Sequence, residues 1–80
     1  HGVSFEEACE LFATRAPVLE IYDVDHSGAE ERFKSIGPIK RGVVLVVWTE
    51  RDGDIVRVIS ARWATAAEQK LYADYLENAK

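Results

Sequence analysis

The sequence predicts one α+β domain, in which a four-stranded antiparallel sheet is preceded by one helix and followed by another. Three observations predict this fold. The chain has 80 residues, which is the size of a single domain. Its two ends carry helical apolar patterns, and four β-prone segments separated by short turn signals lie between them. Because consecutive strands joined by tight turns form a meander, we expect both helices to pack on one face and the other face to stay at least partly exposed.

The first helix is predicted over residues 4–14. Ser4 followed by Glu7 fits a capping box, in which each side chain accepts a hydrogen bond from the other residue's backbone N–H. Pro17 disfavours helical backbone in the residue before it and therefore limits the helix. The apolar residues that fall on one face of this helix are Phe5, Ala8, Leu11 and Phe12.

The second helix is predicted over residues 66–78. It follows another capping-box pair, Thr65 and Glu68, which favours a start at this point. The residues expected to form its buried stripe are Ala67, Leu71, Tyr75 and Leu76.

The four strands are predicted at residues 18–23, 30–36, 43–50 and 55–61. The third segment is apolar on both faces, which is typical of a central strand. Gly37-Pro38 is expected to end the second strand, and Asp52-Gly53 to form the hairpin turn between the third and the fourth. Strict alternation in the fourth strand predicts Val56, Val58, Ser60 and Arg62 on one face and Ile55, Arg57, Ile59 and Ala61 on the other.

Charge is distributed unevenly along the chain, whose formal net charge is -4. Residues 1–31 carry one basic and eight acidic residues, whereas residues 32–62 carry seven basic and three acidic ones. Such asymmetry permits a local phosphate-binding surface on an acidic protein. The alternative is that these charges only keep the strands and loops solvated.

The chain has one cysteine, Cys9, which excludes an intrachain disulfide and a cysteine-based zinc site. The longest apolar run, residues 43–48, is too short to span a bilayer, and no signal peptide is visible. A reducing, cytoplasmic location is the simplest expectation.

Six short segments, taken in order, carry a resemblance to a known family. They are HGVSFEEA at residues 1–8, DHS at 25–27, EERF at 30–33, IG at 36–37, TER at 49–51 and ISAR at 59–62, followed by Ala64-Thr65, Glu68 and Tyr72. The ordered set covers nearly the whole chain and resembles the BrnT-type toxins of bacterial type II toxin–antitoxin pairs. The resemblance implies a RelE-like fold and an endoribonuclease that needs neither a metal ion nor an organic cofactor. It also implies RNA as the substrate and a small DNA-binding antitoxin of BrnA type as the partner.

The chain departs from the BrnT pattern at two places. Family members begin with a short strand, roughly Phe-Glu-Trp-Asp, and a helix ahead of the His-Gly-Val sequence. Without that segment we expect a sheet edge or part of the core to be uncovered. Trp63 stands where the family usually has a second arginine, so one phosphate contact is missing. We expect Trp63 to be buried against the last helix, with stacking on a base or anchoring of a partner as alternatives.

RNA cleavage of this kind needs a base for the 2′-hydroxyl proton, an acid for the leaving 5′-oxygen, and cations for the phosphoryl charge. Arg32 and Arg62 are the candidates for the phosphate, because Arg32 alternates with Phe33 along a predicted strand and Arg62 matches the family's ISAR arginine. His26 is the candidate general acid–base, since the unperturbed imidazole pKa of about 6.5 suits that role. Tyr72, which matches a family tyrosine, is expected to assist.

Each candidate also has a structural alternative. For both arginines the alternative is an ion pair with a neighbouring acidic residue, and for His26 it is an exposed loop position. For Tyr72 it is a core position with the hydroxyl hydrogen-bonded at the rim. The cations expected to hold the RNA backbone are Lys34, Lys40, Arg41 and Arg51, which could equally be solvated charges.

Two functions therefore remain open. The first is an active ribonuclease toxin, and the second is an inactive toxin relative that only binds an antitoxin or itself. The thin core of so short a chain and the expected uncovered edge also predict a homodimer or larger assembly.

Overall fold

The structure, a computed structural model, describes residues 2–24, 30–51, 53 and 55–78, with Arg51 described by its backbone alone. Its elements are α1 (Phe5–Ala13), β1 (Leu19–Tyr22), β2 (Phe33–Ile39), β3 (Gly42–Arg51), β4 (Ile55–Trp63) and α2 (Ala66–Asn78). The strands lie in the order β1-β2-β3-β4, and each is antiparallel to the next. The predicted α+β meander with a helix at each end is therefore confirmed. Neither of the described helices is long and apolar enough to cross a membrane.

Both helices begin at the capping boxes that the sequence predicts. Before α1, the N–H of Glu7 donates to Ser4 Oγ and the N–H of Ser4 donates to Glu7 Oε1, both at 3.1 Å. Before α2, the N–H of Thr65 donates to Glu68 Oε1 at 2.9 Å, and the N–H of Glu68 donates to Thr65 Oγ1 at 3.2 Å. These bonds satisfy N–H groups that have no partner within the first helical turn, so they fix where each helix starts.

The two helices lie on opposite faces of the sheet, which we call the α1 face and the α2 face. On the α1 face, Leu11 packs in one cluster with Val44 and Val46 of β3. On the α2 face, Tyr72 packs with Leu45 of the same strand. The expectation that both helices share one face is therefore wrong. Because β3 is apolar on both sides, each side needs a cover of its own.

The second strand lies further along the chain than predicted. The strand expected at residues 30–36 is observed at Phe33–Ile39, and Gly37 and Pro38 lie inside it instead of ending it. A Cβ at position 37 would lie 2.7 Å from Leu11 Cδ1, so glycine allows α1 to approach the strand closely. The pairing of β1 with β2 ends before Pro38, so no hydrogen bond to β1 depends on the N–H that proline lacks.

A bulge changes which side chains of β4 share a face. Val47 pairs with Ser60 but Trp48 pairs with Val58, which leaves Ile59 as the extra residue. The strict alternation predicted for β4 is therefore wrong across Ile59. The α1 face receives Val56, Val58, Ala61 and Trp63, and the α2 face receives Ile55, Arg57, Ser60 and Arg62.

The buried side of each helix differs in part from the predicted stripe. In α2, Tyr72 is buried and Tyr75 half-buried, whereas Leu71 is 51% exposed. In α1, Phe5 is exposed although Leu11 is buried as predicted. Apolar residues surround much of each short helix, so their spacing alone leaves open which of them faces the sheet.

Candidate nucleic-acid interface

Part of the α2 face lies beyond the cover of the helix, and three strands contribute to it. Lys34 on β2 pairs with Val47 on β3, and Val47 pairs with Ser60 on β4. Thr49 on β3 pairs with Arg57 on β4. Arg57 and Ser60 are exposed and Lys34 is half-buried, whereas Thr49 is buried.

Arg32 lies immediately before β2 and joins this group. The ladder reaches it, because the N–H of Asp23 donates to the Arg32 carbonyl at 2.9 Å. Continuing the β2–β3 register by one residue sets Arg32 beside Thr49, and therefore across β3 from Arg57. Since neighbouring strands lie about 4.8 Å apart, the α carbons of the two arginines are about 10 Å apart. We call Arg32, Lys34 and Arg57, with Thr49 between the two arginines and Ser60 beside Arg57 on β4, the cationic surface.

A buried carboxylate, that of Asp23, lies at the edge of the cationic surface. Asp23 is only 6% exposed, and Lys34 Nζ lies 4.0 Å from its Oδ1. Nearby, Thr49 Oγ1 donates to the carbonyl of Glu31 at 2.5 Å, which ties the chain entering β2 to β3. Lys34 is therefore oriented by a weak ion pair with this buried carboxylate.

Arg62 shares the α2 face but lies towards its other end. It pairs with Leu45, four residues along β3 from Thr49. At about 3.3 Å per residue, this offset and the two-strand separation put the α carbons of Arg32 and Arg62 about 16 Å apart. Arg32 and Arg62, the two candidates for the phosphate, therefore occupy the same face, but the structure does not bring them together.

The guanidinium of Arg62 is bound to α2 through Glu68. Its Nη1 lies 2.7 Å from Glu68 Oε1, and its Nη2 donates to Oε2 at 2.8 Å. These hydrogen bonds are the largest cause that lowers the pKa of the Glu68 carboxyl to about 2, and they also raise the pKa of Arg62. The geometry is the bidentate ion pair that the sequence left as the alternative for this arginine.

Tyr72 lies on the side of α2 that faces the sheet, and its hydroxyl donates to the carbonyl of Pro17 at 2.6 Å. Its ring packs with Ile36 and Leu45, and burial raises the pKa of the phenol above its ordinary value. A phenol that is buried, hydrogen-bonded and harder to ionise is suited to hold the segment before β1 against α2.

Lys40 and Arg41 form the turn between β2 and β3, at the opposite end of these strands from the cationic surface. Arg41 Nη1 lies 2.8 Å from Glu7 Oε2 of α1, and the N–H of Lys40 donates to Glu10 at 3.3 Å. The Arg41 guanidinium also lies 5.2 Å from the centre of the Trp63 ring. Trp63 is partly buried against the apolar cluster of the α1 face. Because α2 lies on the other face, the expected packing of Trp63 against the last helix is wrong.

Two predicted site residues lack a described side chain. His26, the candidate general acid–base, lies outside the residues that the structure describes. Arg51 ends β3, where its backbone pairs with Ile55. In the described parts of the chain, no group of three or more His, Cys, Asp or Glu side chains is placed to hold a metal ion.

The sequence analysis did not select Arg57, although it belongs to the cationic surface. Strict alternation assigns Arg57 to the face opposite Arg62, and the extra residue Ile59 reverses that relation. The sequence carries a weak signal of this bulge. In a regular strand, residues on one face are an even number of positions apart, whereas the apolar residues Val56 and Val58 are an odd number of positions from Ala61. An apolar face that changes phase in this way is typical of a bulge.

The fold and the site define a small α+β domain that gathers the cations Arg32, Lys34 and Arg57 on one side of its sheet. The family described as "Ribonuclease toxin, BrnT, of type II toxin-antitoxin system" matches residues 1–68, and the chain belongs to this family. The protein is thus a BrnT-like ribonuclease toxin, and an antitoxin is its partner. No curated protein and no solved structure shows significant similarity to the chain.

Proposed function

We propose that this toxin is an endoribonuclease that binds RNA on the cationic surface and cleaves it without a metal ion. The observation that carries the proposal is the bulge at Ile59, which sets Arg57 on the face of Arg32 and Lys34. Two cations at the start of β2 and one on β4, across β3, form a cluster of positive charges on an otherwise acidic chain. Such a surface attracts the phosphates of an RNA strand irrespective of its sequence.

The proposed reaction is an internal transfer at phosphorus. The 2′-oxygen attacks the adjacent phosphorus and loses its proton to a base, and the bond from phosphorus to the 5′-oxygen breaks. An acid protonates the departing 5′-oxygen, so the products are a 2′,3′-cyclic phosphate and a free 5′-hydroxyl. Arg32 and Arg57 lie on either side of Thr49 and would stabilise the charge that develops on the phosphoryl oxygens.

The other candidates have distinct roles in this proposal. Arg62, whose side chain is 52% exposed, would contact a phosphate further along the strand, because it lies about 16 Å from Arg32. His26 follows Asp23 by three residues in the sequence and is proposed as the general base. The hydrogen bond from Tyr72 to Pro17 supports a structural role for that tyrosine.

The finer features of the family resemblance extend the proposal. We propose that the helix-and-meander arrangement is RelE-like and that the toxin acts in the cytoplasm, where its RNA substrates are. The partner is proposed to be a small DNA-binding antitoxin of BrnA type. Arg51, at the end of β3, is assigned to RNA binding from its position in the sequence.

We also propose that the toxin forms a homodimer through β4. This strand is nine residues long and lies at the edge of the sheet, next to β3 alone. Its first residues, Ile55 and Val56, are exposed although both are apolar. An edge strand with apolar side chains readily pairs with another strand. Sedimentation equilibrium at high concentration should show a species of twice 9.0 kDa, and a 9.0 kDa species alone would contradict the proposal.

The cleavage proposal can be tested with the purified toxin and a short single-stranded RNA in buffer containing EDTA. We expect cleavage to proceed and to leave 2′,3′-cyclic phosphate ends, which mass spectrometry of the fragments detects. A matched oligonucleotide with 2′-deoxyribose at the cleaved positions should stay intact, because the attacking oxygen is then absent.

Absence of cleavage, together with absence of growth arrest when the 80-residue chain is expressed, would contradict the proposal. That result would favour the alternative of an inactive relative that only binds its antitoxin. The bidentate engagement of Arg62 by Glu68 is the observation that favours this alternative, because it occupies one predicted phosphate ligand.

A further inference from the structure

A continuous row of four aromatic rings crosses the α1 face beyond the end of α1. The rings of Phe33 and Trp48 are stacked with their centres 4.7 Å apart. Tyr22 lies edge-on to Phe33 at 5.6 Å, and Phe12 of α1 lies edge-on to Trp48 at 5.8 Å. The register explains the row, because Tyr22 pairs with Phe33 and Phe33 pairs with Trp48. We call Phe12, Tyr22, Phe33 and Trp48 the aromatic row.

The aromatic row is held rigidly but remains open to solvent. Trp48 Nε1 donates to Ser35 Oγ at 2.7 Å, which fixes the indole in the plane that stacks on Phe33. At its two ends Tyr22 is 46% exposed and Phe12 is 42% exposed, and Val56 of β4 on the same face is 41% exposed. Contiguous apolar surface of this kind, when it is exposed and rigid, is typical of a protein–protein contact.

The charges of the strands are separated between the two faces. Among the strand residues whose side chains the structure describes, the charged residues on the α1 face are Glu20 and Glu50, both exposed. Those on the α2 face are Lys34, Arg57 and Arg62. Carboxylates beside the aromatic row disfavour RNA there, because phosphates would be repelled, and they favour a partner that carries basic side chains.

We propose that the aromatic row is the surface on which the antitoxin docks, through a segment that places apolar side chains between lysines or arginines. The apolar side chains would cover Tyr22 and Phe12, and the basic ones would lie against Glu20 and Glu50. That the partner is an antitoxin follows from the family, whereas the surface and its chemistry follow from the rings and the charges. The inference does not depend on the proposed mechanism of cleavage.

The antitoxin and the RNA would thus use opposite faces of one sheet. Glu20 lies on β1 and Glu50 on β3, both directed away from the cationic surface. Variants of the aromatic row should therefore weaken the complex without changing cleavage by the free toxin. Variants of the cationic surface should do the reverse.

The test uses the toxin chain of 80 residues and, as the probe, its antitoxin, purified separately with an affinity tag. Isothermal titration calorimetry should show at least a tenfold rise in Kd for Tyr22→Arg and for Phe12→Arg. Leu71→Arg is the matched control, because this apolar residue is 51% exposed on α2, away from the row. The control should leave Kd within twofold of the unmodified toxin.

A second pair of variants tests the carboxylates beside the aromatic row and leaves the four rings unchanged. Glu20→Lys with Glu50→Lys should raise Kd at least fivefold at low salt and much less at high salt, because the contact is screened. Glu77→Lys with Asp74→Lys, on the exposed side of α2, is the control with the same change in net charge. Circular dichroism should show the same thermal midpoint for the Glu20/Glu50 variant and its control.

Unchanged antitoxin binding by both the ring and the charge variants would overturn the inference. The inference would also be overturned if these variants changed the self-association of the toxin, measured by sedimentation without the antitoxin, and left antitoxin binding unchanged. The aromatic row would then contact a second copy of the toxin. Loss of RNA binding with antitoxin binding intact would identify the row as an RNA surface and would equally overturn it.

Discussion

Arg62 of β4 and Glu68 of α2 are joined by two parallel hydrogen bonds of 2.7 and 2.8 Å between guanidinium and carboxylate. The same carboxylate accepts the N–H of Thr65, so it caps α2 while it binds the strand before it. Arg62 also donates to the carbonyl of Trp63 at 3.2 Å. One side chain therefore connects the end of the sheet to the start of the helix.

Replacing Glu68 with glutamine should lower the free energy of unfolding by about 1 kcal/mol at pH 7, because a half-exposed ion pair of good geometry is lost. The pKa of Glu68 is lowered to about 2 from its ordinary 4.5, so the charged carboxylate favours folding. Its contribution is complete above about pH 4.5 and is lost as the pH falls to about 2. Urea unfolding of both proteins between pH 2 and 7 measures the difference.

The difference between the two proteins should shrink as the pH falls from about 4.5 to 2, because Glu68 is then protonated in the unfolded state and becomes half protonated in the folded state. A difference that stays constant down to pH 2 would mean that the ion pair contributes nothing to stability. Glu77→Gln, on the exposed side of α2, serves as the control for removing one negative charge from the same helix.

Replacing Tyr72 with phenylalanine should lower the free energy of unfolding by about 1–2 kcal/mol, because the Pro17 carbonyl loses its buried donor. Cleavage of RNA at a temperature where both proteins are folded should stay within twofold. A loss of cleavage greater than tenfold with unchanged stability would instead identify the phenol as a catalytic group. Tyr75→Phe is the matched control, because it removes a hydroxyl from the same helix. Neither the expected loss of stability nor the expected unchanged cleavage depends on a hydrogen bond of the Tyr75 hydroxyl.

Replacing Gly37 with alanine should destabilise the fold by about 1–3 kcal/mol through overpacking. The new Cβ would lie 2.7 Å from Leu11 Cδ1 and 3.3 Å from Val18 Cγ2, so the buried Leu11 side chain would have to shift. Gly2→Ala, with nothing within 4 Å of its Cβ, is the control and should have no effect. Thermal unfolding followed by circular dichroism measures both, and equal midpoints would contradict the observed packing of α1 on β2.

Replacing Lys34 with alanine should weaken RNA binding and make it less sensitive to salt. If Lys34 neutralises one phosphate, the slope of log K against log salt should fall by about 0.7 for a single strand. Lys70→Ala removes a cation of α2 that lies 3.3 Å from Asp74, and it should leave the slope unchanged. Fluorescence anisotropy of a labelled RNA across a range of salt concentrations gives both slopes, and an identical loss in the two variants would exclude a specific contact at Lys34.

Local signals predicted much of the fold. The two capping boxes, the four strands and the second helix at residues 66–78 follow from residue types within a few positions of one another. The first and last residues of the observed β2 could not be predicted from such local signals. Gly37 and Pro38 normally interrupt a strand, and only the approach of Leu11 and the early end of β1 make them suitable there.

The site was predicted less completely, because it depends on relations between distant segments. Alternation correctly sets Lys34 on the side of the ladder that also carries Arg32. It fails for Arg57, since one extra residue at Ile59 reverses the faces of β4. The partner of Arg62 could not be chosen from the sequence either, because several acidic residues were equally available.

Single-turnover cleavage of RNA in EDTA by the double variant Arg32→Ala with Arg57→Ala tests the cationic surface most directly. The matched control is Lys40→Ala with Arg41→Ala, which removes two positive charges from the turn bound to α1. We expect the first variant to cleave at least 100-fold more slowly than the unmodified toxin, because two groups that stabilise the phosphoryl charge are lost. The cleavage rate of the control should stay within about threefold of the unmodified toxin, because only its net charge has changed. Equal rates in the two double variants would contradict the assignment of the phosphate to Arg32 and Arg57.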